Sequence, residues 1–196
     1  MADGRRALLS RDDWLAAALA ALLAGGPDAV AMEPIAATLG ATKGSGYWHF
    51  AGRPELLRAT MDRWVAQKTD GVVADIEASG GDPVARVGRL LAVVTGAVEH
   101  SPAEPLIMAS SDPVVRAAAV RAVRTRVEYL EKLLREKGFS SANAHTRAVL
   151  GYATYVGHGV LAATTPQLLP KSVAARARAH RDMLDMVLGD GGRTDR

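Results

Sequence analysis

A short polar segment that follows a glycine constrains this chain more than any other feature. Residues 32–39 form an apolar helical pattern that ends at Gly40, and glycine suits the left-handed position at a helix end. The next segment, residues 41–50, holds Thr, Lys, Ser, Tyr and His. A helix, a glycine turn and a compact polar helix are typical of a helix-turn-helix, whose second helix enters the major groove of DNA. The segment therefore predicts a DNA-binding unit.

Composition and chain breaks indicate an all-α protein. Alanine is frequent, aromatic residues make up 5% and cysteine is absent, which favours helix over sheet and excludes disulfides and thiolate metal sites. Glycine and proline breaks predict about nine helices, at 11–24, 32–39, 42–48, 54–76, 83–100, 106–109, 113–137, 141–164 and 170–188. We expect a three-helix domain at 1–58 that begins with a mobile arm at 1–9, a larger helical domain at 59–189, and a disordered tail at 190–196.

Charge and motifs limit the function classes. The net charge of +3 permits DNA binding, but acids balance bases over residues 1–58, so a DNA surface there needs local placement and helix dipoles. The N-terminal residues lack a secretion signal, and the apolar stretch at 14–24 is too short to span a bilayer. We therefore expect a cytoplasmic protein without membrane contact. The sequence has no catalytic motif and no metal-ligand spacing, so we expect no enzyme activity, cofactor or metal.

The N-terminal residues resemble a known family. The run Leu-Gly-Ala-Thr-Lys-Gly-Ser-Gly-Tyr-Trp-His-Phe at 39–50, followed by Arg-Pro-Glu-Leu-Leu at 53–57, looks like the N-terminal domain of the tetracycline-repressor (TetR) family, and the similarity spans residues 14–57. The resemblance implies a homodimeric transcriptional regulator, usually a repressor. It also implies that the first three helices bind a DNA operator, that the C-terminal core binds a small molecule, and that the last two long helices form the dimer interface.

The start of the third helix supplies the candidate DNA contacts. A helix N-terminus offers free N–H groups and positive potential to phosphate, and the side chains there add a charge and hydroxyls. The expected DNA-binding residues are Thr42, Lys43, Gly44, Ser45, Tyr47, Trp48, His49 and Arg53. The alternative is that this segment is an ordinary capped turn exposed to solvent, without a role in DNA binding. His49 could equally cap the C-terminal end of the helix.

Apolar residues of the larger domain are candidates for a ligand cavity and a dimer interface. The expected cavity residues are Met61, Trp64, Leu91, Val94, Val98, Ile107, Met108, Tyr129 and Tyr152. Ordinary helical core is the alternative for each, and their apolar character predicts an apolar or aromatic effector. The expected interface residues are Gly151, Tyr155, Gly159, Ala163, Met183, Leu184 and Val187. The first four follow steps of four along one helix and form either the dimer interface or its core neighbour.

Gly46 departs from the family pattern, which usually has a large apolar residue at this position. We expect a packing defect there, so that Gly46→Leu raises the melting temperature. The second helix also has Ala31 at its cap and no basic residue. The leading hypothesis is a ligand-responsive repressor that leaves a near-palindromic operator when a small apolar or aromatic molecule binds. The alternative is a helical small-molecule-binding or scaffolding protein with weak or lost DNA binding.

Overall fold

The computed structural model describes residues 9–95 and 103–189. These ranges contain α-helices and no strand, which confirms the all-α class. The helices are α1 (Arg11–Gly25), α2 (Met32–Thr38), α3 (Lys43–Tyr47), α4 (Arg53–Val65), α5 (Gly71–Ala78), α6 (Pro83–Thr95), α7 (Ala103–Ala109), α8 (Pro113–Lys137), α9 (Ser141–Thr164) and α10 (Val173–Leu188). A π-helical segment, Ala66–Asp70, joins α4 to α5 without a break. The two form the one helix expected at 54–76, so the described residues contain the nine predicted helices.

Some expectations lie outside the described residues. These are Val98, the tail at 190–196, and the arm at 1–9 except for Leu9. For Val94 only the backbone is described.

Local capping chemistry sets the ends of α1. The backbone N–H of Asp13 donates to Ser10 Oγ at 3.2 Å, and the Ser10 N–H donates to Asp13 Oδ2 at 2.8 Å, which is a capping box. Ser10 Oγ also donates to Asp13 Oδ2 at 2.7 Å, and this bond, with the one from the Ser10 N–H, favours the carboxylate and lowers the pKa of Asp13. At the other end Gly26 has φ +76°, in the left-handed region. The helix therefore begins and ends where the sequence predicts.

The first compact unit contains the described residues 9–66 and 103–119. Helix α1 packs against α2, α4 and α7, and α2 packs against α3. The core of this unit holds large side chains that are at most 1% exposed, among them Trp14, Leu22, Phe50, Leu57 and Trp64. Helix α1 therefore supports α2, and α2 in turn supports α3.

The second unit contains the described residues 67–95 and 120–189. Helix α6 packs against α5 and α10, and α10 packs against α9. Val87, Leu91, Leu133, Leu134 and Val187 form part of its core. The contact-based division falls after Ala66 and within α8, whereas the functional boundary after residue 58 stays a prediction. None of the described helices is both long enough and apolar enough to cross a membrane.

The π-helical segment changes which side chains are buried. In α4 the side chains of Met61, Trp64 and Val65 are buried, and a period of 3.6 would bury residue 68 next. Instead Lys68 is exposed and Thr69 is only 1% exposed. A π turn holds one extra residue, so the buried side of the helix moves forward by one position.

Candidate DNA-binding and ligand-binding sites

A tight turn between α2 and α3 positions the candidate DNA-binding residues. Gly40 has φ +61°, and the Ala41 N–H donates to Ala36 O at 2.8 Å. Thr42 caps α3, because its Oγ1 accepts a hydrogen bond from the Ser45 N–H at 3.3 Å. This geometry is that of a helix-turn-helix and includes the predicted cap.

Most of the candidate residues lie on the outer side of α3. Trp48 is 90% exposed and Tyr47 is 49% exposed. Thr42, Lys43 and Gly44 are also exposed, while Ser45 and His49 are half-buried. The structure therefore brings polar and aromatic side chains together on one accessible surface of the first unit.

Gly46 faces the opposite way, and the expected packing defect is wrong. A β-carbon on Gly46 would lie 2.7 Å from Met32 Cε and 2.7 Å from the Trp14 ring. The space beside Gly46 is thus already occupied by Trp14 and Met32. Trp48 points outward and takes no part in filling it. Glycine allows α3 to approach the core of the unit.

Lys43 has a partner within the chain. Its Nζ donates to Glu33 Oε1 on α2 in a short ion pair. The pairing lowers the pKa of Glu33 and raises the pKa of Lys43, so both groups are charged near neutral pH. A phosphate group would have to compete with this carboxylate.

Arg53 and His49 have structural partners that the sequence did not reveal. Arg53 Nε donates to Val30 O at 2.9 Å and its Nη2 donates to Pro27 O at 3.1 Å. These bonds fasten the start of α4 to the turn before α2. His49 Nε2 donates to Leu9 O at 2.9 Å. Contacts of either residue with DNA stay a prediction.

A cavity of about 70 Å³ lies within the second unit. Its lining consists of Lys68, Thr69, Val72, Val73, Leu90, Leu91, Arg126, Tyr129, Leu130, Gly151, Tyr152 and Tyr155. Leu91, Tyr129 and Tyr152 were expected there from sequence. Four other candidates belong to the first unit: Met61, Trp64 and Ile107 are buried in its core, and Met108 is half-buried on α7.

Arg126 and Thr69 bring polar groups to this mainly apolar cavity. Arg126 Nε donates to Thr69 Oγ1 at 3.0 Å, and Arg126 Nη2 donates to Lys68 O at 3.3 Å. The guanidinium carbon lies 5.5 Å from the centre of the Tyr155 ring. Burial, together with the negative charge of Glu77, raises the pKa of Tyr129, which keeps this phenol neutral. Thr69 was missed because only the π-helical segment turns it inward.

The expected interface residues on α9 and α10 do not share one exposed surface. A β-carbon on Gly151 would lie 2.9 Å from Leu130 Cδ2 and 3.6 Å from Val187 Cγ2, so Gly151 and Val187 belong to the core of the chain. Tyr155 lines the cavity. Gly159, Met183 and Leu184 are half-buried, and Ala163 is exposed.

A different side of α9 carries exposed apolar residues. Leu150 is 59% exposed, Val160 43% and Leu161 39%. A β-carbon on Gly157, between them, would meet nothing within 4 Å. This apolar stripe of α9, Leu150, Gly157, Val160 and Leu161, lies on the opposite side of the helix from the four predicted residues of α9, since each residue turns the helix by about 100°.

Comparisons with known proteins agree with this geometry. Residues 15–60 match the family described as bacterial regulatory proteins, tetR family. No curated protein matches the chain at a significant level. A solved transcriptional regulator from Rhodococcus sp. Rha1 is 21% identical with a TM-score of 0.73, over 92% of this chain and 96% of that chain.

Two further solved structures share the fold. A regulator from Saccharomonospora viridis, solved in complex with choline, is 19% identical with a TM-score of 0.70, over 92% of this chain and 96% of its own. SmeT, the repressor of the Stenotrophomonas maltophilia multidrug efflux pump SmeDEF, is 23% identical with a TM-score of 0.59, over 92% of this chain and 89% of its own. Similarity at this level establishes a common architecture for the chain.

Proposed function

We propose that this chain, a member of the tetR family of bacterial regulatory proteins, represses transcription as a homodimer that a small apolar or aromatic molecule releases from DNA. The family consists of regulatory proteins, which confirms the expectation that the chain is not an enzyme. The repressor role, the effector and the dimer are the parts that experiments must test.

The exposed side of α3 is the observation that carries the DNA-binding role. Lys43, Tyr47 and Trp48 are accessible together, whereas Gly46 is buried against the core of the unit. A charge, a phenol and an indole N–H can contact phosphate and base edges when this short helix enters a major groove. Thr42 and Ser45, at its capped start, add hydroxyl groups for phosphate.

The cavity of the second unit supports an apolar or aromatic effector. Valine, leucine and tyrosine side chains dominate the lining, and such surfaces bind apolar ligands with a few polar groups to orient them. A volume of about 70 Å³ is small, so a drug-sized molecule requires lining side chains to move. In the related fold from Saccharomonospora viridis, choline is the bound molecule.

Release from DNA requires that the effector bind one conformation better than another. A ligand shifts an equilibrium only by its difference in affinity for the two states, typically about 1–3 kcal/mol. A two-fold dimer matches a near-palindromic operator, in which each half-site meets one α3. Repression, as opposed to activation, is proposed by analogy with SmeT, a repressor of this fold.

Selection of chromosomal fragments by the purified protein tests the DNA-binding role. We expect enrichment of one near-palindromic sequence, with weaker binding at higher salt. Tyr47→Ala should weaken binding, whereas Leu168→Ala should not, since Leu168 is an exposed apolar residue of the second unit, outside α3. Failure to enrich any DNA, or equal binding by Tyr47→Ala, would refute the assignment of α3.

The second candidate is a ligand-binding protein with little DNA affinity. The Lys43–Glu33 ion pair favours it, because the basic group of α3 is already neutralised. This candidate predicts that small apolar molecules stabilise the protein. It also predicts that the protein binds DNA of no sequence, even at low salt.

A further inference from the structure

Four of the five Lys and Arg side chains within residues 9–66 are paired with carboxylates. Within the described residues 9–66, the ion pairs are Arg11–Glu55, Arg53–Asp28, Arg63–Asp12 and Lys43–Glu33. Arg58 is exposed and has no ion pair among those residues. A surface for DNA usually offers unpaired cations, so this arrangement requires an explanation.

We propose that Glu33 is a built-in competitor of DNA phosphate for Lys43 and that it weakens the sequence-independent part of DNA binding. The inference rests on the proposed DNA-binding function and assigns to one acidic residue the control of nonspecific affinity. Lys43 is the only cation of α3, so a single carboxylate determines how much charge this helix presents.

The position of the pair puts it in the path of the DNA. Lys43 is the first residue of α3, directly after the Thr42 cap, and Tyr47 lies one turn further on. Glu33 lies in the first turn of α2. The side chains of Lys43 and Glu33 are 50% and 68% exposed, so DNA that approaches α3 meets both partners at once.

Counterion release determines the effect of the pair on binding. A lysine that binds a phosphate releases about one counterion from the duplex, which gives a slope of about −0.9 in log K against log salt. When Lys43 leaves Glu33, however, the bare carboxylate recruits a cation close to the DNA. Gain and loss nearly cancel, so Lys43 contributes little to the salt-dependent affinity while Glu33 is present.

Replacing Glu33 with a neutral residue should make Lys43 available to DNA phosphate. Glutamine keeps the size of the side chain and a carbonyl oxygen but has no charge to compete with phosphate. Binding to DNA of any sequence should therefore strengthen. The increase should reach up to about fivefold, since exposed ion pairs are worth roughly 0.2–1 kcal/mol.

The experiment measures binding of a fluorescein-labelled duplex of random sequence by anisotropy between low and moderate salt. The proteins are the wild-type chain, Glu33→Gln, Lys43→Ala and the double variant, with circular dichroism to verify folding. Glu128→Gln is the matched control, because it removes one carboxylate from an exposed position on α8. We expect Glu33→Gln to bind more tightly with a slope steeper by about 0.9, and Glu128→Gln to bind like the wild type.

The double variant shows whether Glu33→Gln strengthens DNA binding through Lys43 or through the general loss of a negative charge. Lys43→Ala should remove the extra slope of about 0.9 when residue 33 is glutamine, and change the slope much less when it is glutamate. Equal slopes for Glu33→Gln and the wild type would overturn the inference while leaving DNA binding intact. Loss of affinity in Glu33→Gln would also overturn it and would indicate a direct contact of Glu33 with cytosine N4. Absence of binding by every variant at low salt would refute the DNA-binding function itself.

Discussion

The ring of Trp14 lies 2.7 Å from the point that a β-carbon on Gly46 would occupy. Both residues are buried, so a side chain at position 46 has to displace an indole that is held in the core of the unit. We predict that Gly46→Leu lowers the free energy of unfolding by about 1–3 kcal/mol, as overpacking does. Urea denaturation followed by circular dichroism measures this change.

Gly44 provides the control for that prediction. It lies in the same helix, but a β-carbon there would be 3.8 Å from its nearest neighbour, Thr42 Oγ1, at ordinary contact distance. Gly44→Ala should therefore stabilise the protein by up to about 1 kcal/mol, because alanine is the better helix former. If Gly46→Leu stabilised the chain as well, the close packing of Trp14 against α3 would be wrong.

Arg53 should contribute to stability as well as to any DNA contact. Arg53→Met removes both hydrogen bonds to the carbonyl oxygens of Val30 and Pro27, and we expect a loss of about 1–2 kcal/mol in the free energy of unfolding. Arg58→Met, at an exposed position of the same helix, should change it by less than about 0.5 kcal/mol. Identical denaturation curves for the two variants would show that the Arg53 bonds do not hold α4 in place.

Thr69 and Thr60 offer a matched pair of buried hydroxyl groups. Thr69 Oγ1 accepts from Arg126 Nε, whereas Thr60 Oγ1 donates to Leu56 O, one turn back in its own helix. Thr69→Val removes the hydrogen bond between Thr69 Oγ1 and the partly buried Arg126 Nε and should cost about 1–2 kcal/mol of stability. Thr60→Val should cost less, since the Leu56 carbonyl belongs to a continuous helix. Thermal denaturation of both variants decides the matter, and a larger loss for Thr60→Val would contradict the structure.

The apolar stripe of α9 is the surface on which we expect the dimer to form. Leu161→Glu places a charge in that surface and should yield monomers at micromolar concentration in sedimentation velocity, since an unpaired charge in an interface is unfavourable. Val120→Glu is the control, because Val120 is 58% exposed and lies on α8, outside that stripe. This substitution should leave the dimer intact. A monomeric wild-type protein would refute the expected assembly.

Chain breaks and caps could be predicted from sequence because they depend on neighbouring residues. The capping box of Ser10 and Asp13, the glycine end of α2 and the Thr42 cap all involve partners within a few positions. The same holds for the exposed polar side of α3, whose residues follow one another in the chain. These features therefore required no knowledge of the tertiary structure.

Contacts between distant residues explain what the sequence could not predict. The space at Gly46 is filled by Trp14, a residue from another helix, so the glycine looked like a defect. Lys43 looked free because its partner, Glu33, precedes the turn. Which side of α9 is exposed depends on the side that α8 and α10 cover. Periodicity alone could not identify it, because a helix so rich in alanine and glycine has several apolar sides.

The π-helical segment Ala66–Asp70 holds one residue more than a regular helix needs to turn the same side of the chain inward. Deleting one residue before Thr69 would therefore let the segment form a regular α-helix, in which Thr69 takes the position that the ordinary repeat buries. Thr69 would then keep its inward position beside Arg126. Inserting one residue would instead turn Thr69 away by about 100°, so the segment should tolerate the loss of one residue better than the gain of one.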